Sequence, residues 1–174
     1  PSTNPTSTTI YKAMISLKAR NAIVFSPHPS AFNCTKMAAD LVAQAAEEAG
    51  APKNVIQCIE TPTMEATNEL MKAKEVSMII ATGGPGMVKA AYSAGKPALG
   101  VGAGNSPSYI ERSANIRQSV SDIINSKTFD NGTICASEQS VVVDRCIAEQ
   151  VMAEFRAQGG YFMTQDETAK VCKL

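Results

Sequence analysis

The sequence is poor in histidine. It has one, His28, in 174 residues, so any Cys–His or Ser–His mechanism carried by this chain alone must use that side chain. It has no excess of charge either. Lys plus Arg and Asp plus Glu both number 16, which removes the electrostatic argument for a nucleic-acid partner. No apolar run approaches the roughly 18 residues that a membrane span needs. The opening "PSTNPTSTT" is polar where a signal peptide would be apolar. The five cysteines (Cys34, Cys58, Cys135, Cys146 and Cys172) contain no C-x-x-C pair, so zinc-ribbon or dithiol redox chemistry lacks its ligand spacing. An odd, scattered set reads as free thiols in a reducing compartment, with the cytoplasm as the expected location. Internal repeats and low-complexity tracts are absent. The chain begins at Pro1 in loop-like sequence and reads as a piece of a longer protein.

What is present supports a folded α/β chain. Hydrophobic residues make up 44% of the sequence, enough for a core. Short apolar, branched runs at 21–27, 54–60, 76–82 and 96–102 read as strands. Between them, residues 31–49, 63–73 and 87–94 carry helical spacing, and Thr63 is a candidate N-cap. This alternation predicts a Rossmann-like parallel sheet with helices on both faces, over residues 1–102. After residue 102 the rhythm changes. A helix at 113–127, a strand at 139–144 and a helix at 146–158 read as the start of a second α/β domain, 103–174. Met14, Met37, Met64 and Met71 recur at helical spacings and are expected to fill the core.

Two features could carry chemistry. "ATGGPGMVKAA" puts Thr82, Gly83, Gly84 and Gly86 between a strand and a helix, where backbone N–H groups and a helix N-terminus can meet a phosphate. The alternative is a tight strand-to-helix turn whose glycines serve geometry only. Neither G-x-G-x-x-G nor a Walker lysine is present. A second glycine cluster, "GVGAGN", includes Gly102 at the end of the fourth strand, and strand ends line the ligand crevice of an open parallel sheet. The other feature is Cys135 in "DNGTICASEQS". It reads either as inert packing, the usual lot of a lone thiol, or as a nucleophile. Gly132 would bend the backbone before it, and the small Ala136 and Ser137 would leave room for a substrate. The remaining four cysteines are expected to pack.

Four stretches taken together, "NPTST" (4–8), "FSPHP" (25–29), "ATGGPGMVKAAYSAGKPALGVGAGN" (81–105) and "KTFDNGTICASEQS" (127–140), closely resemble the CoA-acylating acetaldehyde dehydrogenases. Within them, the likeness is to the aldehyde-dehydrogenase half of bifunctional aldehyde-alcohol dehydrogenases of fermentation. The resemblance implies an NAD-dependent interconversion of acetaldehyde plus coenzyme A with acetyl-CoA. It implies that Cys135 attacks the aldehyde, that hydride passes to nicotinamide, and that CoA takes the acyl group from the thioester. It places Asn4 beside the oxyanion, with the Cys135 backbone N–H. It places the cofactor at Ser26, Pro27, His28, Thr82, Gly83, Gly84, Gly86 and Gly102. It assigns no metal to this chain, implies a homo-oligomer that builds helical filaments, and allows a following iron-dependent alcohol dehydrogenase half.

Two departures matter. Hydrolytic relatives keep a water-activating glutamate where this chain has Val101, and valine cannot act as a general base. They also hold the adenine ribose with a lysine and a glutamate, where this chain has Ser26 and Pro29. His28 is therefore either a contact to the adenine end of a cofactor or a surface side chain set between two prolines. Lys127 and Glu138 flank the Cys135 loop and receive no step. The competing readings are a non-catalytic nucleotide-binding or filament-forming fragment and, less favoured by Val101, a hydrolytic aldehyde dehydrogenase.

Overall fold

The computed structural model describes residues 3–102 and 104–174. The chain divides into two compact units, Pro1–Ala103 and Gly104–Leu174. In the first, helix α1 (Pro5–Lys18) precedes β1 (Ile23–Phe25), α2 (Phe32–Glu48), β2 (Ile56–Cys58), α3 (Met64–Lys72), β3 (Ile79–Thr82), α4 (Pro85–Tyr92) and β4 (Ala98–Val101). In the second, β5 (Ser106–Ile110) is followed by α5 (Ile116–Thr128), β6 (Glu138–Val143), α6 (Ala148–Ala157) and α7 (Gln165–Val171). Among the described residues, no helix is long and apolar enough to cross a membrane.

The chain is α/β with parallel strand pairing throughout. β1 pairs with β2, β3 with β4, and β5 with β6, each across an intervening helix. The strands of the first unit form two separate parallel pairs rather than one four-stranded ladder among the described residues. Each pair has its own core. Phe25 and Ile56 close on Ala13 and Ala39, while Ile79 and Ala81 close on Met71 and Ala91. Small alanines on the helices let the backbones approach the strands closely. Among the described residues, two hydrogen bonds join the pairs through helices. Lys12 Nζ on α1 donates to the Ile80 carbonyl at 3.0 Å. Ser26, just after β1, meets Thr67 of α3 at 2.7 Å.

Helix α1 replaces the loop expected at the start of the chain. Asn4 is its N-cap and Pro5 opens its first turn, where a missing N–H costs nothing. Its pattern is inverted: Thr9, Lys12, Ala13 and Ser16 are buried, while Tyr11 and Met14 are about 60% exposed. Burial without a counter-charge pulls the Lys12 amine below its ordinary pKa. Strand β5 is also new, with Pro107 at a register irregularity against β6, a position that tolerates a residue without an N–H. The methionine expectation is corrected. Met71 is buried, but Met14, Met37 and Met64 are exposed, because no element among the described residues covers their faces. The same correction applies to packing thiols: Cys58 is half-buried, and Cys34, Cys146 and Cys172 are exposed.

Candidate active site

The Cys135 loop is built from backbone constraints. Asp130, Asn131 and Gly132 are three successive residues with left-handed φ, at 53°, 53° and 71°. Asp and Asn enter this region at modest cost because their short side chains bond locally, and Gly enters freely. The Thr133 hydroxyl and N–H close the bend onto the Asp130 carbonyl at 2.7 and 3.1 Å. A second turn follows at once. Ser137 returns its N–H (3.2 Å) and hydroxyl (3.0 Å) to the Ile134 carbonyl. Cys135 and Ala136 thus occupy the two central positions of this turn, and Cys135 is exposed. Ser137 is only 1% exposed, so it ties the turn to the core, while Ala136 beside Cys135 is exposed.

Other groups brace the loop. Lys127 Nζ donates to Gln139 Oε1 at 3.3 Å. The Ser126 hydroxyl, then the residue's own backbone N–H, hold the Glu138 carboxyl below the ordinary glutamate range, with Lys127 adding to the effect. Glu138 Oε2 is buried without a hydrogen-bond partner among the described residues. Gly104 was not singled out by its sequence, yet a Cβ built there would stand 2.5 Å from the Cys135 carbonyl oxygen.

The first unit gathers the expected cofactor residues at the carboxyl ends of its strands. Thr82 ends β3 opposite Val101 of β4, and the Gly83 N–H donates to the Val101 carbonyl at 3.1 Å, which brings Gly102 beside it. Gly84 is the N-cap of α4, with Pro85 in its first turn, so the helix begins two residues earlier than its sequence suggested. Among the described residues, none of Gly83, Gly84, Gly86 and Gly102 adopts positive φ. Their contribution is access. Nothing lies within 4 Å of a Cβ built at Gly84 or Gly86, so the positive end of the α4 dipole is open to an anion. Gly100 serves packing instead, since its Cβ would stand 2.6 Å from Val88 Cγ1 and 2.8 Å from Tyr92 Cε2. Val101, at the end of β4, is half-exposed and has no ionisable group.

Ser26 and His28 have assigned hydrogen-bond roles. The Thr67 hydroxyl donates to the Thr63 carbonyl at 2.8 Å, so the Ser26 hydroxyl is the donor in their contact. Ser26 can then only accept from a ligand. His28 Nδ1 accepts the Ser30 N–H at 3.2 Å and lies 2.7 Å from the Ser30 hydroxyl. Pro27 is half-buried between them. Asn4 is partly exposed, and its carbonyl accepts the Thr8 N–H at 3.2 Å.

The sequence profile of the aldehyde dehydrogenase family matches residues 3–170. Aldehyde-alcohol dehydrogenase 2 of Entamoeba histolytica is 57% identical over 174 residues, covering 100% of this chain and 20% of that protein. The crystal structure of an acetylating aldehyde dehydrogenase from Geobacillus thermoglucosidasius superimposes with a TM-score of 0.91 at 64% identity, over 99% of this chain and 38% of that one. Propionaldehyde dehydrogenase of Rhodopseudomonas palustris, solved with bound CoA and an acylated cysteine, gives a TM-score of 0.85 at 36% identity, over 97% of this chain and 38% of that one. The chain therefore spans about a fifth of the curated relative's length and under two-fifths of the solved ones.

Proposed function

Because this chain belongs to the aldehyde dehydrogenase family, we propose that it is the part of a CoA-acylating acetaldehyde dehydrogenase that binds NAD with residues 1–102 and supplies the nucleophile from 103–174. The observation that carries this reading is the backbone of the Cys135 turn. Exposure alone does not distinguish Cys135 from Cys34, Cys146 or Cys172. Its placement on a turn tied to Ile134, after three left-handed residues, does. Such a turn holds a reacting sulfur in a fixed direction, which is what attack on a carbonyl needs.

In the proposed reaction the Cys135 thiolate adds to the aldehyde carbon and forms a C–S bond. The Cys135 backbone N–H stabilises the resulting oxyanion, a contribution of about 3–4 kcal/mol in comparable sites. Bound NAD supplies the two-electron acceptor that takes the hydride from that carbon. The residues present fit such a cofactor. Thr82, Gly83, Gly84, Gly86 and Gly102 surround the open α4 N-terminus for its phosphates, Ser26 accepts from a ribose hydroxyl, and His28 contacts the adenine end. Val101 activates no water, so the thioester persists until the CoA thiolate attacks it, releases acyl-CoA and restores the Cys135 thiolate.

The same reading favours a cytoplasmic, fermentative role and a homo-oligomer able to build helical filaments, and it allows an iron-dependent alcohol dehydrogenase half. NADH formation from acetaldehyde by the intact enzyme, with and without CoA, tests it. We expect acetyl-CoA as product and negligible acetate. Release of acetate as fast as acetyl-CoA would overturn the assignment of Val101. The mass of the assembled particle tests the oligomer.

A further inference from the structure

The contact between Gly104 and Cys135 extends the proposed function and rests on it. We infer that Gly104 is a positioning residue for the nucleophile, acting through the Cys135 carbonyl. Gly104 lies just before β5, and the Cys135 turn lies just before β6, the strand that pairs with β5. The two loops therefore meet at one edge of the parallel pair. A Cβ on residue 104 would be 2.5 Å from the Cys135 carbonyl oxygen and 3.7 Å from its carbonyl carbon. Ordinary contact begins at 3.4 Å, so any side chain forces an adjustment of about 0.9 Å in backbone that carries the sulfur. Nothing flexible lies between them to absorb it. The Cys135 turn cannot yield freely on its other side either, because Ser137 is buried and bonded to Ile134. Gly104 lies directly against this backbone. Its role is the absence of a side chain where the nucleophile's own peptide must pass.

The test uses the intact enzyme and two alanine variants. Gly160→Ala is the control, because its Cβ would stand 2.8 Å from the Phe155 carbonyl oxygen, a backbone clash in the same unit with a residue other than Cys135. Gly104→Ala is expected to lower kcat for CoA-dependent acetaldehyde oxidation about 100-fold, the usual cost of a misplacement near 1 Å, with KM for NAD unchanged. Gly160→Ala is expected to keep kcat within about threefold. A second readout is independent of the aldehyde reaction. Alkylation of Cys135 by iodoacetamide, followed by peptide mass spectrometry, is expected to change about fivefold or more in Gly104→Ala alone. If the wild type lacks CoA-dependent activity, the proposed function fails, and the alkylation comparison still decides the role of Gly104. Equal losses of kcat in the two variants would assign Gly104 to folding and overturn the inference. A Gly104→Ala protein that fails to fold and bind NAD while Gly160→Ala folds would overturn it as well.

Discussion

Replacing Gly132 by alanine probes the bend that presents Cys135. Gly132 has φ of 71°, a region where a Cβ meets its own backbone at a cost of about 1–2 kcal/mol. Alanine also restricts the unfolded chain, which returns about 0.4–1 kcal/mol. The added Cβ would lie 3.1 Å from the Lys127 carbonyl oxygen, tighter than ordinary contact, and a backbone atom cannot rotate away. The two backbone contributions leave about 0–1.6 kcal/mol, and the close contact places the expected destabilisation in the upper part of that range, about 1 kcal/mol or more. The neighbouring change Asn131→Gly is the internal comparison. Asn131 already holds φ of 53°, so glycine relieves a modest strain and loosens the unfolded chain by a similar amount. Its net effect is expected within about 0.5 kcal/mol of zero. Urea unfolding of the intact protein, with unchanged m-values, measures both. Loss of stability below about 0.3 kcal/mol in Gly132→Ala, or equal losses in the two variants, would refute the argument from backbone conformation.

Two further perturbations test the first unit. Gly100→Ala drives a Cβ into Val88 and Tyr92 and is expected to cost about 1–3 kcal/mol by overpacking, read as a fall in the urea midpoint. Lys12 tests linkage. Its amine is held below the ordinary pKa of 10.5 by burial, so the unfolded state binds more protons between the lowered value and 10.5. Stability should therefore rise with pH across that window. Lys12→Met should remove that rise, and an unchanged slope in the variant would contradict the burial of a charged amine.

The parallel pairs were legible because their helices and strands follow ordinary periods. Residues 32–48 put small residues on one face, and 79–82 is a short apolar run followed by glycine. Helix α1 was hidden by its inverted face. With Thr9, Lys12 and Ser16 inward and Tyr11 and Met14 outward, hydrophobic periodicity points the wrong way, and only Asn4-Pro5 marked its start. Strand β5 was hidden by Pro107, which its register irregularity accommodates. α7 did carry a local signal, the Thr164–Glu167 capping box. At the site, the bend at Gly132 was readable from "DNG". The clamp by Gly104 was not, because it joins loops distant in sequence and depends on the pairing of β5 with β6. That Ser137 anchors the turn by its burial was not readable from its small size.

The central claim is that Cys135 carries the acyl group. The most direct measurement is mass spectrometry of the intact enzyme after incubation with acetyl-CoA and rapid acid quenching. The account requires one acetyl group on the peptide containing Cys135, removed by added CoA and absent in Cys135→Ala, whose NAD binding stays intact. Acetylation at another cysteine, or full CoA-dependent activity in Cys135→Ala, would contradict it.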